Sequence, residues 1–236
     1  MPRRASPPSQ PDPDLATVAA ALADRSRVAM LDTLLDGRGH PIGRLARLAG
    51  VSPATASSHL RQLVASRLVA VTAVGRERHV RLASPEVAEV LERLAALAAP
   101  AERLTSPSQL RARELRFART CYDHLAGKLA IAVARALIDR GWLVEDPPFS
   151  ATPALVAWLA AHGHTLDIAT RRPQCRPCLD WSERVPHVAG QIGAAIAEVA
   201  LADGWVVRVR NTRALRVTER GARALQRELG VAVPRA

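Results

Sequence analysis

Apolar residues recur at three- and four-residue spacing through most of the first hundred positions, the mark of amphipathic helices. The period begins near Leu15. It continues through Asp24–Leu35, where Val28, Leu31, Leu34 and Leu35 share a face, and stops at Gly37 and Gly39. Pro41 opens a short helix, Ile42–Ala49, closed by Gly50. Ser52 is a good N-cap with Pro53 behind it, which predicts a helix from there to about Ser66. Ala56, Leu60, Leu63 and Val64 form its apolar stripe; Thr55, Ser58, His59 and Gln62 lie on another face. The pattern then shortens. Leu68–Ala73 and Arg78–Leu82 flank Gly75 as a hairpin. Glu86–Ala99 is a further amphipathic helix, with Val87, Val90, Leu91, Leu94 and Leu97 predicted inward.

Residues 1–13 hold five prolines among polar residues and read as a disordered basic tail. Residues 14–99 form the first domain, 100–108 a linker, and 109–236 a second domain for sensing or dimerisation. One long helix is predicted from about Gln109 to Asp139. The second half contains a duplication: His124-Leu-Ala-Gly127 recurs as His187-Val-Ala-Gly190, and Gly141-Trp142 recurs as Gly204-Trp205 at the same offset. In each copy an alanine-rich helix links the two motifs, and a Thr (Thr152 or Thr218) then caps another helix. The predicted fold class is mainly α with small β-hairpin wings: a winged helix-turn-helix followed by two winged-helix-like repeats.

Composition narrows the functions. The chain has 236 residues, 48% of them hydrophobic, and a formal net charge of +11. The charge points to a polyanionic partner. Lys128 is the only lysine among 33 basic residues, so part of the arginine content reflects a GC-rich coding bias. No apolar run approaches the ~20 residues of a membrane span, and no apolar leader precedes the first domain, so a cytoplasmic protein is expected. Three cysteines, Cys121, Cys175 and Cys178, argue against a disulfide framework. P-loop, G-x-S-x-G and H-E-x-x-H motifs are all missing, so an enzyme is not expected.

Helix, tight turn, polar-faced helix and hairpin, in that order, describe a winged helix-turn-helix. Only polar side chains on the outer face of a helix in the major groove reach base edges. Ser52, Thr55, Ser57, Ser58, His59, Arg61 and Gln62 are the candidates, with Arg76, Arg78 and Arg81 on the hairpin for the flanking backbone. A uniformly basic face would instead mark a non-specific architectural binder.

Residues 15–99 resemble the ArsR/SmtB family of bacterial repressors through LADRSRVAMLDTLLDG, IGRLARLAGVSPATASSHLRQLVASRLV and GRERHVRL. The resemblance implies that Ser52–Val64 is the recognition helix and Gly75–Leu82 the wing. Arg67 departs from the family's glycine before Leu-Val. It also implies a homodimer on a near-palindromic double-stranded DNA operator, with Glu86–Ala99 and the helix around Val18–Leu22 as candidate dimer faces. Two metal sites of that family do not carry over. Helix Ile42–Ala49 has no Cys or His, and Glu86–Ala99 has Glu86, Glu89 and Glu92 but no His. CYDHLAG and RPCLDWSERVPHVAG resemble a longer subgroup with a C-terminal extension.

A different set replaces them. Cys121 and His124 are predicted at i, i+3 on one helical face, and Cys175-Arg-Pro-Cys178 in a loop. Together Cys121, His124, Cys175 and Cys178 would form a Cys3His site for zinc or another thiophilic divalent ion, with His187 as a spare. Two other readings stay open: buried structural thiols, and a Cys175–Cys178 redox pair. The expected function is a repressor released from its operator by an effector, a thiophilic metal ion being one; the alternatives are a redox-responsive thiol regulator and the architectural binder.

Overall fold

Side-chain caps start the first two helices. The computed structural model describes residues 14–75, 77–98, 106–146 and 148–233, with only the backbone for 106–111. The expected tail 1–13, Arg76 and linker residues 100–105 lie outside the described residues. Asp14 accepts from the Thr17 amide at the head of α1 (Leu15–Leu22), and Asp24 from the Arg27 amide at the head of α2 (Arg25–Leu34). β1 (His40–Pro41) leads into α3 (Ile42–Ala49), which stops at Gly50 with φ 68°. Ser52 caps α4 (Pro53–Ala65) by accepting from the Thr55 amide at 3.1 Å. β2 (Val69–Val74) and β3 (Glu77–Leu82) form the wing, with β1 on the free edge of β3. α5 (Pro85–Leu97) completes the unit. Met30, Leu31, Leu34, Leu45, Leu63, Val80 and Leu82 are its core.

The face that α5 buries is the expected one only in part. Ala88, Glu92 and Ala96 are buried, whereas Val90, Leu94 and Leu97 are exposed. The inner face of α5 packs against the second half of the chain, where small residues and one engaged carboxylate fit. Val87 and Leu91 pack against the core of the winged unit as expected, and Val90, Leu94 and Leu97 point away.

A second correction concerns the long helix. The chain is helical over α6 (Ser106–Phe117), which begins inside the expected linker. It then turns back as a hairpin, β4 (Arg119–Cys121) with β5 (His124–Ala126), before α7 (Lys128–Asp139). Gly127 fits the joint where the hairpin returns to the end of α6 and α7 begins. Its φ of 86° and ψ of −173° suit only glycine, and a Cβ there would stand 2.8 Å from the Arg116 carbonyl oxygen.

The remaining elements are β6 (Leu143–Val144), β7 (Ser150–Ala151), α8 (Pro153–Ala161), β8 (Arg176–Leu179), β9 (Pro186–Ala189), α9 (Gly190–Ala202), β10 (Val206–Arg208), β11 (Leu215–Val217) and α10 (Glu219–Ala224), which widens into a π-turn at Leu225–Leu229. Both copies of the duplicated sequence therefore run hairpin, helix, hairpin, helix. Thr152 donates to the Gly141 and Trp142 carbonyls, and Thr218 to those of Gly204 and Trp205. Gly190 repeats Gly127, with φ 86° and the Pro173 carbonyl oxygen 2.7 Å from its would-be Cβ. α7 and α9 are the buried centre of this half. Among the described residues, no helix is long and apolar enough to cross a membrane.

The two halves are bolted together. The Tyr122 amide donates to the Leu35 carbonyl at 2.7 Å, Arg176 pairs with Glu89 at 3.0 Å, and Arg213 pairs with Asp32 and Glu92 at 3.1 and 2.5 Å. The hairpins β4–β5 and β8–β9 thus sit directly against α2 and α5.

Candidate functional site

The outer face of α4 is polar because its apolar positions are spent inward on Ala56 and Leu63. Thr55, Arg61 and Gln62 are exposed; Ser57 and Ser58 are half-buried. Ser52 is exposed, but its hydroxyl is held by the cap. Ser57 donates to the Pro53 carbonyl. His59 turns toward α2, with Nδ1 3.4 Å from Arg27 and Nε2 3.6 Å from Asp24. On the wing, Arg78 and Arg81 are both exposed, and strand alternation places them on opposite faces. Arg78 lies near the tip opposite Ala73, and Arg81 toward the base opposite Ala70. A groove beside the wing gathers Arg38, Arg44 and Arg47, cations that reading α4 and the hairpin alone overlooks.

The second constellation is built by the duplication. In β4–β5, Cys121 stands across from His124; in β8–β9, Cys178 stands across from His187. Each hairpin thus contributes one Cys–His pair, and the two pairs face each other. The four side chains are buried, and one ligand atom from each lies within 4.8 Å of all the others. The two sulfurs are 3.9 Å apart. Two 2.3 Å zinc–sulfur bonds at a tetrahedral angle would set them roughly 3.8 Å apart.

Cys175 is not brought into this group. It lies in the packed core of the second half, where burial pushes its thiol up to about 11. Because Cys178 is on a strand and not in a loop, positions i and i+3 point to opposite sides. Cys121 and His124 likewise meet as a cross-strand pair and not along a helix. The fourth member is His187, legible in the sequence as the repeat counterpart of His124.

Each histidine has a carboxylate beside Nδ1, hydrogen-bonded only at His124. His124 Nδ1 is 3.2 Å from Asp123, and His187 Nδ1 is 3.5 Å from Asp180. The Nε2 atoms of both rings are buried without a hydrogen-bond partner. Burial opposes charge on His124, but Asp123 and Cys178 outweigh it and raise the ring's pKa. The contact with Cys178, reinforced by burial, holds the Cys121 thiol protonated. The contact with Cys121 draws the Cys178 thiol well down against burial, helped by His124 and His187. A thiolate between imidazoles, with two unsatisfied ring nitrogens, is a donor set suited to a soft divalent cation. A cavity of about 300 Å³ beside α5 reaches Cys121, His124 and Cys178 from the surface, past Arg172 and Glu89.

Behind the cluster runs a buried ionic network. Asp180 accepts from Arg119 at 3.0 Å, from the Gly127 amide at 2.6 Å and from the Ser182 hydroxyl at 2.7 Å. Burial would raise its pKa, but Arg119, Ser182 and the Gly127 amide hold it down at about 2. Arg119 is fully buried, its guanidinium 4.6 Å from the centre of the Trp181 ring.

Comparison with known proteins bears on the DNA-binding half. A helix-turn-helix domain model matches residues 22–72. The uncharacterized HTH-type transcriptional regulator YdfF of Bacillus subtilis (strain 168) is 39% identical over 225 residues, covering 94% of this chain and all of that one. Among solved structures, the homodimeric winged helix-turn-helix DNA-binding domain of Mb0332 from Mycobacterium bovis is 29% identical, over 35% of this chain and 76% of that one, with a TM-score of 0.33. The cadmium metal-sensor CMTR from Mycobacterium tuberculosis is 35% identical, over 39% of this chain and 97% of that one, with a TM-score of 0.32.

Proposed function

The chain belongs to the HTH-type transcriptional regulators, its first hundred residues carrying the ArsR/SmtB resemblance, and from that premise we propose that it is a homodimeric operator-binding repressor whose hold on DNA responds to a thiophilic divalent metal ion. The ion would be held by Cys121, His124, Cys178 and His187. The observation that carries this reading is the convergence of four buried donor atoms from the two repeats, both Nε2 atoms lacking any other partner. Thr55, Ser58, Arg61 and Gln62 would face the major groove, with Arg78 on the adjoining backbone. Ser52, Ser57 and His59 are engaged within the protein, so their part would be to hold α4 in place. Leu15, Val90, Leu94 and Leu97 are exposed apolar side chains on α1 and α5 and supply a surface for a second copy.

Gel-shift titration of purified chain, with and without zinc, tests the reading. Zinc is expected to weaken operator binding in the wild type and in Cys175→Ser, and to have no effect in Cys178→Ser. Zinc-insensitive binding by the wild type would end the metal version. The 3.9 Å approach of the Cys121 and Cys178 sulfurs favours a second reading, oxidation of that pair to a disulfide by a peroxide. A peroxide response that persists in Cys175→Ser, with no zinc response, would select it.

A further inference from the structure

We infer that Arg119, placed between Asp180 and Glu92, couples the Cys/His cluster to the DNA-binding half; this rests on the metal reading above. Two buried groups in the network lack a partner, one at each end. His187 Nδ1 lies 3.5 Å from Asp180 Oδ2 without a hydrogen bond, and Glu92 Oε2 on α5 has none either. Arg119 stands between them, its Nη2 3.0 Å from Asp180 Oδ2 and 3.8 Å from Glu92 Oε2. The other oxygen of Glu92 holds Arg213, which also reaches Asp32 on α2 and the Thr120 carbonyl beside Cys121. The two cluster hairpins and two helices of the winged unit therefore meet in one continuous network, buried at Asp180, Arg119, Glu92 and Arg213 and open to solvent at Asp32.

A histidine that ligates a metal through one ring nitrogen ordinarily donates the other N–H to a carboxylate. With Nε2 committed, His187 presents Nδ1–H to Asp180 Oδ2. That oxygen already accepts from Arg119 and from the Gly127 amide, so a third donor weakens its hold on the guanidinium. Arg119 has a second acceptor waiting in Glu92 Oε2. A guanidinium shared unequally between two carboxylates is a two-state element, and each state favours a different spacing of β4 against α5. Differential stabilisation of two such states is what coupling between distant sites requires. Glu92 and Arg119 are positioning residues in this scheme and touch neither metal nor DNA.

The test uses the full chain, zinc chloride and a duplex selected from a random library by the full chain. Zinc affinity is read by competition with a chelating dye, and duplex affinity by fluorescence anisotropy. The variants are Glu92→Gln, which keeps shape, and Arg119→Lys, which keeps charge but lacks the planar fork that faces Asp180 and Glu92 at once. Zinc is expected to change the wild-type duplex Kd by roughly tenfold or more, and that of the variants by less than about twofold. Variant zinc affinity is expected to stay within about threefold of wild type, short of the ~10–100-fold cost of losing a ligand's own hydrogen-bond partner. Variants that bind zinc and keep the wild-type shift overturn the coupling alone. Variants that lose zinc binding together with the shift also count against it, since neither residue belongs to the ligand set. Failure of the wild type to bind zinc overturns the metal reading and the coupling together.

Discussion

Arg67 ends α4 in the left-handed region, at φ 57°. The ArsR/SmtB resemblance places a glycine there, and the structure supplies the reason: the chain must reverse between α4 and β2. An L-residue in that region costs roughly 1–2 kcal/mol. Arg67 is exposed and makes no side-chain hydrogen bond among the described residues, so nothing offsets the cost. Arg67→Gly is therefore expected to stabilise the chain by about 1 kcal/mol, roughly 2–4 °C in melting temperature. A lower melting temperature would show that the arginine contributes a contact the backbone argument overlooks. The buried ion pairs act in the opposite direction. Arg119→Ala would leave Asp180 charged in a site with no solvent, an expected loss of about 3–5 kcal/mol by denaturant titration. A loss under about 1 kcal/mol would mean that water reaches the carboxylate.

At the scale of elements, legibility follows the number of positions an element offers. α2, α3, α4 and the wing lie within about two residues of their expected limits, because capping residues, Pro53 and the bounding glycines punctuate a period of sufficient length. β4 and β5 have three residues each and a two-residue turn, too few for any period to register. The mixed stretch Ala118–Leu125, lying between two helical patterns and without a proline or glycine to interrupt it, therefore reads as helix. His124 and Cys121 were legible as partners, but for the wrong geometry. The duplication marks His187 as the counterpart of His124 but not Cys178 as that of Cys121: position 184, at the repeat offset, is Arg, because the turn between β8 and β9 spans residues 180–185 and that between β4 and β5 only 122–123. The glycines after each hairpin mark the same joint. Gly127→Ala and Gly190→Ala both force a Cβ into a carbonyl oxygen, at 2.8 and 2.7 Å, on backbone suited only to glycine. Each is expected to destabilise the chain by about 2 kcal/mol or more and to weaken zinc binding, measured by thermal melts and dye competition. Melting temperatures equal to wild type would mean that the hairpin–helix joint can relax.

For the whole molecule, three of the five apolar side chains that the sequence placed in the core of α5, Val90, Leu94 and Leu97, turn out to be exposed, a pattern expected of an interface between copies. Leu94→Arg is expected to shift sedimentation equilibrium from dimer to monomer and to lower operator affinity. A wild-type monomer, or a variant that stays dimeric, would remove α5 from the interface. The proposed function places sensing and DNA reading in different halves of the chain, which α2, α5 and the buried network of Arg119 and Arg213 join. That arrangement depends on one claim, that a Cys–His pair from each repeat converges on a common ion. X-ray absorption at the zinc edge of the zinc-loaded full chain tests it most directly. Two sulfur ligands at about 2.3 Å and two nitrogen ligands at about 2.0–2.1 Å are expected, unchanged in Cys175→Ser. A shell of oxygen and nitrogen alone, or a third sulfur that disappears in Cys175→Ser, would contradict the account.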